Sequence, residues 1–275
     1  MGHGKLRKFA ENETFSCLLQ PSPEEVLSGR GSSFALKDHP VKGVWNGKVF
    51  SEPRPLVLEL GCGRGEYTID LARRYPERNY IGVDIKGARL WKGAKEATVC
   101  NMDNVAFLRT RIEFIEAFFG PGEVSEIWLT FSDPQLHHEN SRLSSPMFLE
   151  RYRKFLEPGG LIHLKTDSTF LYEYTRALCL ENGLDMPVAT DDLYGERPLD
   201  FARGDKREIP STTVAAIMNV HTYYERMFSQ QGYKIKYLCF RLNLPEGQAL
   251  RSPSSFDADY WRSVEGPRRS VSISS

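Results

Sequence analysis

Short uninterrupted apolar runs alternate along the middle of the chain with stretches whose apolar residues recur every three or four positions. Pro53 and Pro55 precede Leu56-Val57-Leu58-Glu59-Leu60, a run whose length and continuity predict a strand covered on both faces. Glycines follow, and EYTIDLARRY then takes up helical spacing until Pro76 stops it. The alternation continues as NYIGVD (strand), KGARLWKGAKEATVC (helix), NVAFLRT (strand), IEFIEAFF (helix) and, after Gly120-Pro121-Gly122, SEIWLTF (strand). PMFLERYRKFL predicts a helix, LIHLKT a strand after Pro158-Gly159-Gly160, FLYEYTRALCLENG and YYERMFSQQG two more helices, and YKIKYLCFRL a last strand. Strands separated by helices pair in parallel through right-handed crossovers. The fold class expected is therefore α/β: a doubly wound, mostly parallel sheet with helices on both faces. Such sheets bind ligands beyond the carboxyl ends of their strands, so the residues ending each strand are the ones to inspect.

The regular alternation occupies residues 53–245, expected as a single domain. Residues 1–52 are rich in Gly, Ser and Pro with little periodicity and are expected as an N-terminal arm. Residues 246–275 contain few aliphatics and many Ser and are expected as a flexible C-terminal tail. Of the 275 residues 40% are hydrophobic, ample for a packed core, yet no apolar run approaches the ~20 residues of a membrane-spanning helix. The opening MGHGKLRKFAENET turns from basic to acidic with no apolar stretch behind it, unlike a secretory signal. The five cysteines are scattered without a C-x-x-C spacing, which argues against a disulfide framework or zinc site and fits a reducing cytoplasm. Lys plus Arg and Asp plus Glu both number 36, so any binding of nucleic acid has to come from a local patch.

The first strand of the alternation ends in Glu59-Leu60-Gly61-Cys62-Gly63-Arg64-Gly65 and runs straight into a helix. Gly61, Gly63 and Gly65 allow a sharp turn and close approach of the backbone to a ligand, although a tight turn without a ligand reads the same way. Glu59 adds information, because a carboxylate there suits a cationic amine better than a pyrophosphate. The second strand ends in Asp84, placed to accept from a ribose diol or to cap the following helix. An amine and a ribose together point to S-adenosylmethionine, with NAD as the competitor.

The fourth strand ends in Thr130-Phe131-Ser132-Asp133-Pro134-Gln135. The series LELGCGRGEY, NYIGVD, LTFSDP, HLKTD and HTYYE, in this order and at these separations, closely resembles the bacterial tRNA (guanine-N7)-methyltransferases of the TrmB type, over roughly residues 5–243. The resemblance implies a seven-stranded class I methyltransferase sheet in residues 53–245 and methyl transfer to N7 of a guanine in the tRNA variable loop, position 46. It also implies that Glu59 and Asp84 hold the cofactor, that Asp133 is the catalytic acid shared between cofactor and guanine, and that Asp167, Thr222 and Glu225 bind substrate.

The chemistry agrees. Guanine N7 carries an in-plane lone pair, so no base is required; catalysis needs alignment and stabilisation of a purine gaining positive charge. Carboxylates accepting from N1–H and the exocyclic amine, with some unstacking of the tRNA, serve both needs. Each residue also has a plainer reading. Asp133 can belong to a turn, Asp167 can cap a helix, and Thr222-x-x-Glu225 has the form of a capping box.

Two departures from the resemblance stand out. The loop after Asp133 reads Gln135-Leu136-His137-His138-Glu139-Asn140-Ser141-Arg142, with His137 where the family has a substrate-binding lysine and Arg142 as the one permanent cation. Arg111 occupies the place of an adenine-binding Asp, so the backbone around Arg111 and Ile112 is expected to serve the cofactor instead. Other cations for tRNA are Lys5, Arg7 and Lys8, the stripe Lys86, Arg89, Lys92 and Lys95, and the cluster Arg151, Arg153 and Lys154. The sequence reading is thus a cytoplasmic tRNA methyltransferase, monomeric or homodimeric, with no membrane and no obligatory protein partner. A class I enzyme acting on another RNA or guanine-containing substrate, and a non-catalytic nucleotide- or RNA-binding module, are the alternatives.

Overall fold

Proline cannot donate to a strand ladder, and the central strand begins as soon as Pro55 is passed. A computed structural model describes residues 3–29, 35–195, 211–245 and 247–266. Its strands are β1 (Leu18–Leu19), β2 (Leu27–Ser28), β3 (Ala35–Leu36), β4 (Leu56–Leu60), β5 (Asn79–Asp84), β6 (Val105–Arg109), β7 (Val124–Thr130), β8 (Leu156–Thr166), β9 (Val188–Thr190) and β10 (Lys236–Arg241). The helices are α1 (His3–Asn12), α2 (Pro23–Val26), α3 (Trp45–Lys48), α4 (Glu66–Arg74), α5 (Gly87–Val99), α6 (Pro146–Tyr152), α7 (Thr169–Glu181), α8 (Ser211–Asn219), α9 (Tyr223–Gln230) and α10 (Ala258–Glu265). The segment IEFIEAFF, expected as an α-helix, is a 3₁₀ turn over Ile112–Ala117.

Eight of these strands form one sheet in the order β1-β6-β5-β4-β7-β8-β10-β9. The pairs β1–β6, β4–β5, β5–β6, β4–β7 and β7–β8 are parallel, while β10 runs antiparallel to both β8 and β9. Seven strands were expected. The additional one is β1, whose Leu18 and Leu19 sit beside Phe107 and Leu108 at the edge of the sheet. Every residue of β4 and β5 is buried, which explains their continuous apolar character.

The segment expected as an arm contributes to the core. Trp45 is buried, donates from Nε1 to Phe118 O at 2.8 Å and stacks on Phe119 at a centroid distance of 5.3 Å. Asn12 Nδ2 donates to Gly87 O at 3.0 Å and so fixes α1 to the start of α5. At the other end, residues to Gly266 do not trail away. Asp257 caps α10, and Phe256 meets the rings of Phe170 and Tyr174 on α7 edge-on. A few aromatic anchors fasten both segments without the periodicity that marks a regular element.

Candidate active site

A cleft of about 630 Å³ opens at the carboxyl ends of the parallel strands, where a doubly wound sheet is expected to bind. Its wall includes Glu59, Gly61, Gly63, Asp84, Arg111, Ile112, Asp133, Asp167 and Thr222. Gly65, His137 and Glu225, three residues singled out from the sequence for binding, are not on that wall.

Glu59 sits in the middle strand with little solvent exposure. One carboxylate oxygen accepts from both the backbone N–H of Thr68, at 2.9 Å, and the Thr68 hydroxyl; the other accepts from the Thr130 hydroxyl. Burial pushes its pKa up to about 7 despite these donors, and the neighbouring Asp84 adds to the rise. A cation delivered into the cleft would stabilise the charged form. Neither threonine was anticipated, because nothing in EYTIDL or IWLTF marks a hydroxyl as aimed across the sheet.

Asp84 accepts from Gly63 N at 3.0 Å with one oxygen and from Lys86 N at 2.7 Å with the other. It therefore braces the glycine turn and the approach to α5 together, two residues before the helix N-cap, Lys86. Gly61 and Gly63 adopt φ of 79° and 58°. A Cβ added at Gly63 would meet nothing within 4 Å, leaving the backbone open to a ligand. Gly65 has a different duty. A Cβ there would come within 2.4 Å of the Phe107 ring, and one at Gly82 or Gly93 within 2.8 or 2.5 Å of it. Phe107 thus fills the space behind the turn that these glycines leave.

Arg111 and Ile112 lie where the 3₁₀ turn begins. The first N–H groups of such a turn have no partner inside it, and both residues line the cleft.

Asp133 lies between two non-glycine residues with left-handed backbone, Phe131 at φ 49° and Gln135 at φ 48°. Its Oδ1 accepts from Gln135 N at 2.9 Å in an Asx turn. Strain of this kind persists where surrounding contacts hold it, and here they do so from beneath. Arg142 is buried, donates from Nε to Pro134 O at 3.0 Å and from Nη2 to Leu136 O at 3.2 Å, and lies between the rings of Phe170 and Tyr174. Arg262 on α10 reaches the same Leu136 carbonyl at 3.1 Å. The permanent cation of this loop is therefore turned inward to hold the backbone. His137 is exposed and stands away from the cleft.

On the opposite wall, the side-chain hydroxyl of Thr222 accepts from Glu225 N at 3.0 Å, while the Glu225 carboxylate accepts from Thr222 N. That is a capping box at the start of α9, the plainer of the two sequence readings. Glu225 is buried, bonded to the Tyr194 hydroxyl and 2.8 Å from Lys165 Nζ. It serves the cleft from below, through Thr222. Lys165 was overlooked as a functional residue, although a lysine within the apolar run LIHLKT is a signal of a buried, partnered charge. Glu66 adds a further tie by accepting from Tyr223 N at 3.0 Å, joining the first residues of α4 and α9 across the cleft.

A family model described as "Putative methyltransferase" matches residues 53–238. The tRNA (guanine-N(7)-)-methyltransferase of Porphyromonas gingivalis (strain ATCC BAA-308 / W83) is 45% identical over 263 residues, covering 96% of this chain and 100% of that one. The protein of the same name from Bacteroides fragilis (strain YCH46) is 45% identical over 271 residues, covering 98% of each chain. That of Levilactobacillus brevis (strain ATCC 367) is 32% identical over 222 residues, covering 78% of this chain and 92% of its own. Among solved structures, the 16S rRNA methyltransferase KamB superposes with a TM-score of 0.51 at 14% identity, covering 78% of this chain and 98% of that one, a likeness of fold.

Proposed function

This chain belongs to the tRNA (guanine-N(7)-)-methyltransferases, and on that premise we propose how its own residues carry out the reaction. The enzyme transfers a methyl group from S-adenosylmethionine to N7 of a guanine in tRNA. The guanine we assign is position 46 of the variable loop, and the compartment we assign is the cytoplasm, where a tRNA substrate is met.

The observation that carries the site assignment is the convergence of Glu59, Asp84, Asp133 and Asp167 on one cleft. The cleft fits the cofactor on its own geometry: a buried carboxylate faces it, a glycine backbone stands open in it, and an acid lies at the end of the second strand. S-adenosylmethionine, when bound, supplies an electrophilic methyl on a sulfonium. Glu59 holds the amino group, Asp84 the ribose hydroxyls, Gly61 and Gly63 admit the backbone close to the ligand, and the N–H groups at Arg111 and Ile112 serve the adenine. Asp133 and Asp167 accept from the Watson–Crick edge of the guanine. That grip orients N7 and offsets the positive charge the purine gains, with no proton removed. Thr222 positions the base from the far wall, and Glu225 fixes Thr222. His137 lies outside the cleft and is left with tRNA beyond the target base.

The test is methyl transfer from labelled S-adenosylmethionine to unmodified tRNA, followed by nucleoside analysis. Label is expected in 7-methylguanosine, and its absence there overturns the assignment. Asp133→Ala is expected to lower turnover by about 10²–10³ with the fold retained by circular dichroism. An unchanged rate would place the chemistry elsewhere.

A further inference from the structure

Zero net charge conceals a surface divided by sign across the cleft. Helix α1 lies against α5: Trp91 Nε1 donates to Glu11 at 2.7 Å, Lys8 Nζ lies 4.9 Å from the Trp91 ring centroid, and Phe9 approaches Gly87 so closely that a Cβ there would be 3.0 Å from its ring. This docking sets Lys8 against Trp91 of α5, with Lys5 about one turn earlier on α1, while Lys86 and Arg89 at the start of α5 line the cleft wall. Arg109 lies between the two sets, its guanidinium 5.3 Å from the Phe9 centroid. None of these five cations forms an ion pair with another described residue, whereas their neighbours Arg7 and Lys95 are held by Glu11 and Lys92 by Glu66.

The facing rim is acidic. Asp167, Asp191, Asp192 and Glu265 surround Lys236, and Asp192 also pairs with Lys234 at 2.9 Å, so four acids face two lysines. The remaining candidates are occupied: Arg151 and Lys154 both pair with Glu116, Arg153 pairs with Glu150, and Arg142 is buried beneath its own loop. A polyanion is thus attracted to one rim and repelled by the other.

We propose that the α1–α5 rim, formed by Lys5, Lys8, Lys86, Arg89 and Arg109, seats the phosphate backbone of the tRNA in place of the loop after Asp133. The inference rests on the reading of the cleft as a tRNA methyltransferase site and adds where the rest of the tRNA lies. Phosphate contacts position a nucleic acid without reading its sequence, so this seat fixes the angle at which the target guanine enters.

Two double variants of the full chain test it, Lys5→Ala with Lys8→Ala and Lys86→Ala with Arg89→Ala, beside a control, Arg151→Ala with Lys154→Ala, at the amino-terminal end of β8. Binding of unmodified tRNA is followed as a function of salt, and affinity for S-adenosylmethionine is measured by calorimetry on the same proteins. Each phosphate contact contributes about 0.7–0.9 to the slope of log K against log salt, so each rim variant is expected to flatten it by roughly 1.4–1.8. The control is expected to keep the parental slope, and the Lys5/Lys8 variant the parental affinity for S-adenosylmethionine. Parental slopes in both rim variants overturn the proposal while methylation of tRNA by the parent persists. Failure of the parent to methylate tRNA at all instead overturns the reading of the cleft.

Discussion

Lys165 Nζ lies 2.8 Å from Glu225 Oε1 with both side chains buried, and the same nitrogen donates to Ile217 O at 2.9 Å and Val220 O at 3.0 Å. The end of β8 thereby holds the corner between α8 and α9, and with it Thr222. Burial draws the Lys165 ammonium below its ordinary pKa, and the Glu225 carboxylate opposes that shift. Removing one partner of such a pair strands the other, at a cost of about 3–5 kcal/mol, whereas replacing both with apolar residues is often close to neutral. Lys165→Met is accordingly expected to lower stability in urea by about that amount. Adding Glu225→Leu is expected to restore most of the stability but leave KM for tRNA raised, because Thr222 has lost its cap. Recovery of both quantities in the double variant would reduce Glu225 to a structural partner of Lys165.

The pKa of Glu59, pushed up to about 7 by burial, sets a pH dependence of definite sign. A carboxyl whose folded pKa is raised stabilises the cofactor-free fold at low pH, and that contribution is lost as pH rises through about 7. Affinity for a cationic amine moves the other way, increasing as the carboxylate forms. Calorimetric titration with S-adenosylmethionine between about pH 6 and 8 is expected to show tightening on the alkaline side, approaching tenfold per unit below the pKa. Glu59→Gln should bind at least about tenfold more weakly at pH 8 and lose most of this pH dependence, while its thermal stability at that pH is not reduced. Parallel pH profiles for the two proteins would assign the dependence to another group.

Arg262 connects the end of the described chain to the loop that carries Asp133 through the Leu136 carbonyl, and Glu265 accepts from Phe170 N at 2.9 Å beside it. A chain ending at residue 246 is expected to bind S-adenosylmethionine normally, since no residue of the donor half of the cleft lies beyond that point. Its kcat should fall, by about tenfold or more if one backbone-anchoring bond of 1–3 kcal/mol is lost from a strained loop. Arg262→Ala should reproduce most of the effect. Parental kcat in both would show that Arg142 alone suffices to hold Asp133.

The part of the cleft around Glu59 and Asp84 was legible as a location because it obeys local rules. Glu59 and Asp84 each occupy a strand position that a linear pattern specifies, and the glycines between them announce the turn. The acceptor half was legible only as a set of candidates, since Asp133, Asp167 and Thr222 come from distant segments and meet through the register of β7 with β8 and the placement of α9. Burial decided what spacing left open. Glu225 and Arg142 have the residue types of ligand-binding groups, yet both face inward, one beneath Lys165 and the other between two aromatic rings. The anchors of the terminal segments were not legible for a related reason: Trp45, Phe256 and Asp257 act singly, and a single anchor has no period to detect.

Phe107 carries a consequence beyond packing. Its ring lies against Gly65, Gly82 and Gly93, and Gly82 and Gly93 stand directly behind the wall residues Cys62 and Arg64 without lining the cleft themselves. One methyl group at either would collide with that ring, which already packs against the turn at Gly65. The glycine turn is therefore vulnerable to changes at positions off the cleft wall, and a map of intolerant residues would extend behind it into β5 and α5.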